Sequence, residues 1–192
     1  MEGLSDILDE LSCGEDEQAE AALSHLAALG SEVVEALCER LFNPEPEVRW
    51  WAVRALAEIH DERVPALLTR ALSDPDKGVR WCAGLALRTN PSAQAAPTLL
   101  NLLSDKDALT RRLAGDALVA IGTQVVPQLL DAMQNSEHIT RLEAIRALAR
   151  IGDERAIPML FDALDDNSAL IEYWASEGLE KMGVGMVFYE PE

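Results

Sequence analysis

One slot recurs along this chain at an almost constant interval, and that period limits the possible folds more than composition does. Arg49, Arg80, Arg111, Arg141 and Glu172 stand 31, 31, 30 and 31 residues apart. Three places after the slot come Ala52, Ala83, Ala114, Ala144 and Ala175, and seven places after it Leu56, Leu87, Leu118, Leu148 and Leu179. Six places before it lie Asn43, Asp74, Asp105, Asn135 and Asp166. Prolines mark the other half of the unit at Pro65, Pro97, Pro127 and Pro158. Columns in register at this period are the mark of stacked repeats, each too small to bury its own apolar face.

Each unit reads as two helices. The longer begins after an Asn/Asp-rich turn such as Ser73-Asp74-Pro75-Asp76, where carboxylates can cap free N–H groups, and stops near Gly122, Gly152 or Gly183. The shorter carries Pro in its first turn, where the missing N–H costs nothing. Its apolar positions include Leu67, Leu68 and Leu72, and in the last unit Leu160, Phe161 and Leu164. Counting backwards, Ala22, Leu26, Leu29 and Gly30 fit a degenerate first unit, paired with a helix near Leu4–Leu11. Six helical pairs, about 12 helices, are expected over a single repeat domain, residues 1–183. The tail, 184–192, breaks the pattern; its apolar side chains are expected to fold over the open end of the last repeat. Leu and Ala dominate an apolar fraction of 48%, which suits closely packed helices, and no run alternates with the period of a strand.

The segments Asp74-Pro-Asp-Lys-Gly-Val-Arg80 and Ile151-Gly-Asp-Glu-Arg-Ala-Ile-Pro-Met-Leu160 resemble HEAT repeats of the short subtype found in phycobilisome (phycocyanobilin) lyases. The resemblance implies an all-α, right-handed α-solenoid over roughly residues 16–183. It also implies that the longer helices line a concave surface. At 100° per residue, Trp51, Ala52, Ala55, Leu56 and Ile59 point to the core, and the opposite face is expected to hold the binding residues. These are Trp50, Val53, Arg54, Trp81, Leu85, Arg88, Arg112, Leu142, Ile145, Arg146 and Tyr173, with Gly84 and Gly115 opening a shallow trough among them. Aromatic and Arg side chains on a face that should be polar are what protein interfaces favour. Eleven of the 16 Lys and Arg lie on the longer helices, which would leave this face less acidic than the rest and admit an anionic or mixed-charge ligand.

The slot arginines Arg49, Arg80, Arg111 and Arg141 read as a structural ladder with Asn43, Asp74, Asp105 and Asn135, each Arg bonding the Asn/Asp six residues earlier or that of a neighbouring repeat. A site for a ligand carboxylate is the alternative. His25, His60 and His138 are scattered, and none sits in the His-Glu dipeptides of the diiron HEAT-repeat hydroxylases, so no metal or catalytic residue is assigned. Cys13, Cys38 and Cys82 form no CxxC pair and suggest reduced thiols in the cytoplasm; Cys82 reads as small-residue packing. The N-terminus shows no secretory pattern, and no apolar run is expected to span a bilayer. A net charge of −18 repels nucleic acid and anionic lipid. The expected protein is therefore a monomer or hetero-oligomer subunit, a scaffold or adaptor gripping a protein segment, with no cofactor. The resemblance supplies the alternative: a lyase or chaperone-type subunit holding a linear tetrapyrrole, its rings against Trp50, Trp81 and Tyr173 and its propionates on arginines.

Overall fold

Short polar signals set where helices begin and end, and the computed structural model, which describes residues 4–11 and 16–184, follows them closely. Twelve α-helices occur among the described residues: α1 (Leu4–Glu10), α2 (Asp16–Leu29), α3 (Val34–Arg40), α4 (Pro46–Leu56), α5 (Val64–Ala71), α6 (Lys77–Thr89), α7 (Ala96–Leu102), α8 (Ala108–Ile121), α9 (Val126–Asn135), α10 (His138–Ile151), α11 (Ile157–Ala163) and α12 (Ala169–Lys181). There is no strand among them. The chain is all-α, an α-solenoid of paired short and long helices. Of the tail predicted over 184–192, all but Val184 lies outside the described residues. The chain divides into two compact units, Met1–Thr98 and Leu99–Glu192. In the first, α2 meets α4 and α4 meets α6; in the second, α8 meets α10 and α10 meets α12, each row of long helices backed by short ones.

The Asn/Asp column works first as a turn former. Asn43, Asp74, Asp105 and Asp166 each accept the backbone N–H two residues on, at 2.8–2.9 Å. Asp76 and Asp107 then cap α6 and α8 by accepting the N–H groups of Val79 and Thr110. At the other end α8 and α10 stop at Gly122 (φ 81°) and Gly152 (φ 71°), where an L side chain would be strained.

The arginine ladder has two rungs. Arg49, Arg80 and Arg111 each donate to the main-chain carbonyl of the residue six places earlier, Asn43, Asp74 and Asp105, at 2.7–2.9 Å, which ties a helix to its own turn. The carboxylate rung runs forward to the next repeat: Arg49 makes a two-pronged bond to Asp74 at 2.7 and 2.8 Å, and Arg141 pairs with Asp166. Asn135 departs from the predicted set. One residue is missing from its repeat, and its amide donates to Asp131 instead, at 2.7 Å. A second ladder, unassigned from the sequence, crosses the other end: Arg63 and Arg155, each held by the Asp two residues before it, donate to the carbonyls of Ser31 and Thr123 one repeat back.

Packing follows the columns. Every alanine three places after the slot is at most 1% exposed, and the leucines seven places after it are buried. Gly178 lets α12 approach α10 and α11, since a Cβ there would stand 2.9 Å from Ala149 Cβ and 3.0 Å from both Ala149 Cα and Leu160 Cδ1. Phe161, expected in the core, is 43% exposed. The expectation about bilayers needs a correction. Glu17–Arg40 and Ala108–Asn135 are each long and apolar enough to cross one, by length and composition. Each is interrupted by a glycine at positive φ, Gly30 or Gly122, so two separate helices share the apolar residues.

Gly178→Ala should therefore lower unfolding free energy by about 1–3 kcal/mol through overpacking, where an unhindered helical site would gain from alanine; urea denaturation measures it. Asp74→Ala strands the guanidinium of Arg49, both side chains being only 9% exposed, and should cost roughly 3 kcal/mol or more. Burial pushes the Asp74 carboxyl up, but the Arg49 bond and the Asp76 N–H outweigh it and hold the pKa below the ordinary value. Its contribution is thus complete above about pH 4, the unfolded value, and is lost as pH falls through the lower folded one. The stability gap between wild type and Asp74→Asn should stay constant from pH 7 to about 4.5 and close below that.

Candidate interaction face

Six long helices offer one side each to solvent, and neighbouring helices decide how much of it stays open. Within that face Leu85 is 43% and Tyr173 51% exposed, and Arg88 and Arg112 are exposed as well. Trp50, Arg54, Trp81 and Leu142 are half-buried. Trp50 stands edge-on to Trp51 (centroids 4.8 Å) and lies over the first turn of α6. Lys77 Nζ sits 5.2 Å from the centre of the Trp81 ring.

Three predicted residues are not on the surface. Val53 and Ile145 are 0% exposed and Arg146 is 4% exposed. Val53 and Ile145 occupy the column four places after the slot; Gly84 and Gly115 in it are also buried, and Ser176 on the last long helix is exposed. Val53 on α4 lies between α2 and α6, and Ile145 on α10 lies between α8 and α12, so the apolar arc of these helices is wider than the stripe of an ordinary amphipathic helix. Gly115 opens no trough. Its missing Cβ makes room for the Arg146 guanidinium, whose Nη2 would stand 2.8 Å from an added Cβ.

The arginines of this face are largely answered by carboxylates of the same face. Arg146 Nη2 lies 3.0 Å from Glu143 and 3.6 Å from Asp116, and it donates to the Arg112 carbonyl at 3.1 Å. Arg150 also pairs with Asp116, and Arg112 Nε lies 3.8 Å from it. Burial leads in drawing the Arg146 pKa below its ordinary value; Glu143 and Asp116 oppose that, while Arg112 and Arg150 add to it. In the first unit Arg54 pairs with Glu58 and lies 4.0 Å from Glu20. The expected cationic surplus is thus mostly spent inside the protein, against the reading that the face suits an anion.

No group of three or more His, Cys, Asp or Glu among the described residues is arranged to hold a metal ion. Cys82 is buried with Sγ 3.9 Å from the Trp50 carbonyl oxygen, and burial pushes its thiol up to about 12. It would be protonated, and so a poor nucleophile, at neutral pH.

Sequence reasoning passed over three exposed residues. The column two places before the slot reads Glu47, Gly78, Leu109, Ile139 and Leu170, and the last three are 44, 49 and 58% exposed. The signal was available: apolar side chains at the second position of α8, α10 and α12, where the first unit carries Glu47 and Gly78.

A family model described as HEAT repeats matches residues 4–88, 64–138 and 96–180. No curated protein matches the sequence. Among solved structures, the archaeal HEAT-like repeats protein from Thermococcus onnurineus NA1 is similar with a TM-score of 0.65 and 15% identity, over 99% of this chain and 84% of that one. The complex of CpcE and CpcF of phycocyanin lyase from Nostoc sp. PCC7120 gives 0.56 and 21%, over 95% and 78%. A designed armadillo repeat protein in complex with the peptide (KR)4 gives 0.53 and 18%, over 94% and 100%. At these identities the likeness is one of fold.

Filling the space at Gly115 tests the buried arginine. Gly115→Ala should fail to give the gain of ~0.5–1 kcal/mol usual for a helical glycine. In an Arg146→Ala background the same change should become stabilising, a coupling of about 1 kcal/mol in a double-mutant cycle.

Proposed function

The chain belongs to the HEAT repeat family, and from that premise we propose that it is a non-catalytic interaction module holding a protein segment on the exposed face of its longer helices. The observation that carries this reading is the composition of that face. In the first unit Leu85 and Arg88 stand open on one helix, and the indoles of Trp50 and Trp81 are half-buried; in the second unit Tyr173 and Arg112 are exposed. A face made only for solvent needs none of the aromatic or aliphatic residues; an interface uses them as anchors. The net charge of −18 speaks against a nucleic-acid partner.

A second reading is a subunit that carries a linear tetrapyrrole. It is favoured by Trp50 and Trp81, half-exposed and one repeat apart in the same unit, which could flank a flat conjugated ligand. The likeness to a phycocyanin lyase complex adds fold and no more.

Leu85→Ala with Arg88→Ala should leave stability within about 0.5 kcal/mol, because both side chains are exposed. A partner recovered from native lysate on wild type should be lost from this variant; retention would remove the face from the account. Adding a linear tetrapyrrole should leave tryptophan emission nearly unchanged. Saturable quenching that disappears in Trp50→Ala/Trp81→Ala would favour the second reading.

A further inference from the structure

An isolated exposed leucine means little, but one apolar residue at the same position of three neighbouring helices is a surface. In the second unit Leu109, Ile139 and Leu170 occupy the second position of α8, α10 and α12, and those helices are in contact in that order. Three residues further along the same helix faces stand Arg112, Leu142 and Tyr173. The result is a patch two rows deep and three helices wide. Its surroundings are acidic: Glu137 just before α10, Asp165 in the turn before α12, and Glu172 and Glu177 on α12 are all exposed. Lys106 and Arg112 are the exposed cations near it, and Arg112 already leans on Asp116 at 3.8 Å.

We infer that this patch is a docking surface for a basic amphipathic helix of a partner protein. The inference rests on the interaction reading above and gives the partner its chemistry. Packed helices lie about 8–10 Å apart, and seven residues of a partner helix advance about 10.5 Å. A helix laid across α8, α10 and α12 therefore brings one apolar side chain per heptad over each helix in turn, in the manner of helix-in-groove recognition. About 15 residues suffice for all three. Lys and Arg flanking those anchors face the carboxylates of the rim, and an acidic helix would be repelled by them. Because the arginines of the unit are mostly paired internally, they offer an acidic partner little in return.

Two labelled synthetic helices of 15 residues, with leucines on one face and either lysine or glutamate elsewhere, test this by fluorescence anisotropy. The lysine peptide should bind wild type, weaken at least tenfold in Leu109→Ser/Ile139→Ser/Leu170→Ser, and weaken further at high salt; the glutamate peptide should bind at least tenfold more weakly. Tyr173→Ala, a single change at an exposed side chain, should weaken the lysine peptide about threefold and serves if the triple variant does not fold. Equal binding of the lysine peptide by wild type and both variants would mean general charge attraction and overturn the proposal. So would equal binding of the glutamate peptide, or concentration-dependent self-association in sedimentation that the triple variant abolishes, which would make a second copy the occupant. Either failure leaves the broader interaction reading intact if the lysate partner is still released by Leu85→Ala/Arg88→Ala.

Discussion

One contact joins successive repeats in each unit: an arginine of a long helix held in the turn that starts the next, Arg49 on Asp74 in the first unit and Arg141 on Asp166 in the second. Arg49 shows it fully: two bonds to the Asp74 carboxylate and two more to the carbonyls of Asn43 and Pro44. A planar guanidinium can satisfy both turns at once because its donors form a rigid fork. The same carboxylate also shapes its own turn by accepting the Asp76 N–H. Losing it would disturb a turn, a helix start and a repeat interface together. In an array where stability is a sum of nearest-neighbour terms, that couples local geometry to the whole stack.

Side-chain volume between the long helices follows from the same spacing. The column of alanines and the close approach at Gly178 bring helices together, and Val53 and Ile145, four places after the slot, are then covered by the long helices on either side of theirs. The columns that stay more open include the one of Leu109, Ile139 and Leu170 and the one of Trp50, Trp81, Arg112, Leu142 and Tyr173. The face we propose for interaction is what the packing leaves over, and in the second unit it begins at the second residue of α8, α10 and α12.

Most of the fold was legible because its signals are local and repeated. Asp74 and Asp105 announce turns, Gly122 and Gly152 announce stops, and the Ala and Leu columns name the core. The face was legible in part. A wheel with a single apolar stripe places Val53, Ile145 and Arg146 outward, because it takes no account of the two flanking long helices that bury them. Arg146 misleads most, since a charged residue is read as surface; its burial depends on Gly115 in another helix and on Glu143 and Asp116. The three apolar residues at the starts of α8, α10 and α12 are misleading in the opposite sense: an apolar side chain reads as core unless its column is compared with Glu47 and Gly78, and Leu109, Ile139 and Leu170 are open to solvent.

On the proposed function, the exposed face of the long helices is where this protein is held by another. Hydroxyl-radical footprinting of the bound and free protein tests that most directly, because it reads side chains. Tyr173, Leu85, Leu109, Ile139 and Leu170 should lose reactivity on binding, while exposed Phe42 and Phe161, which lie off the long helices, should keep theirs. Protection of Phe42 and Phe161 with no change at Tyr173 or Leu85 would contradict it.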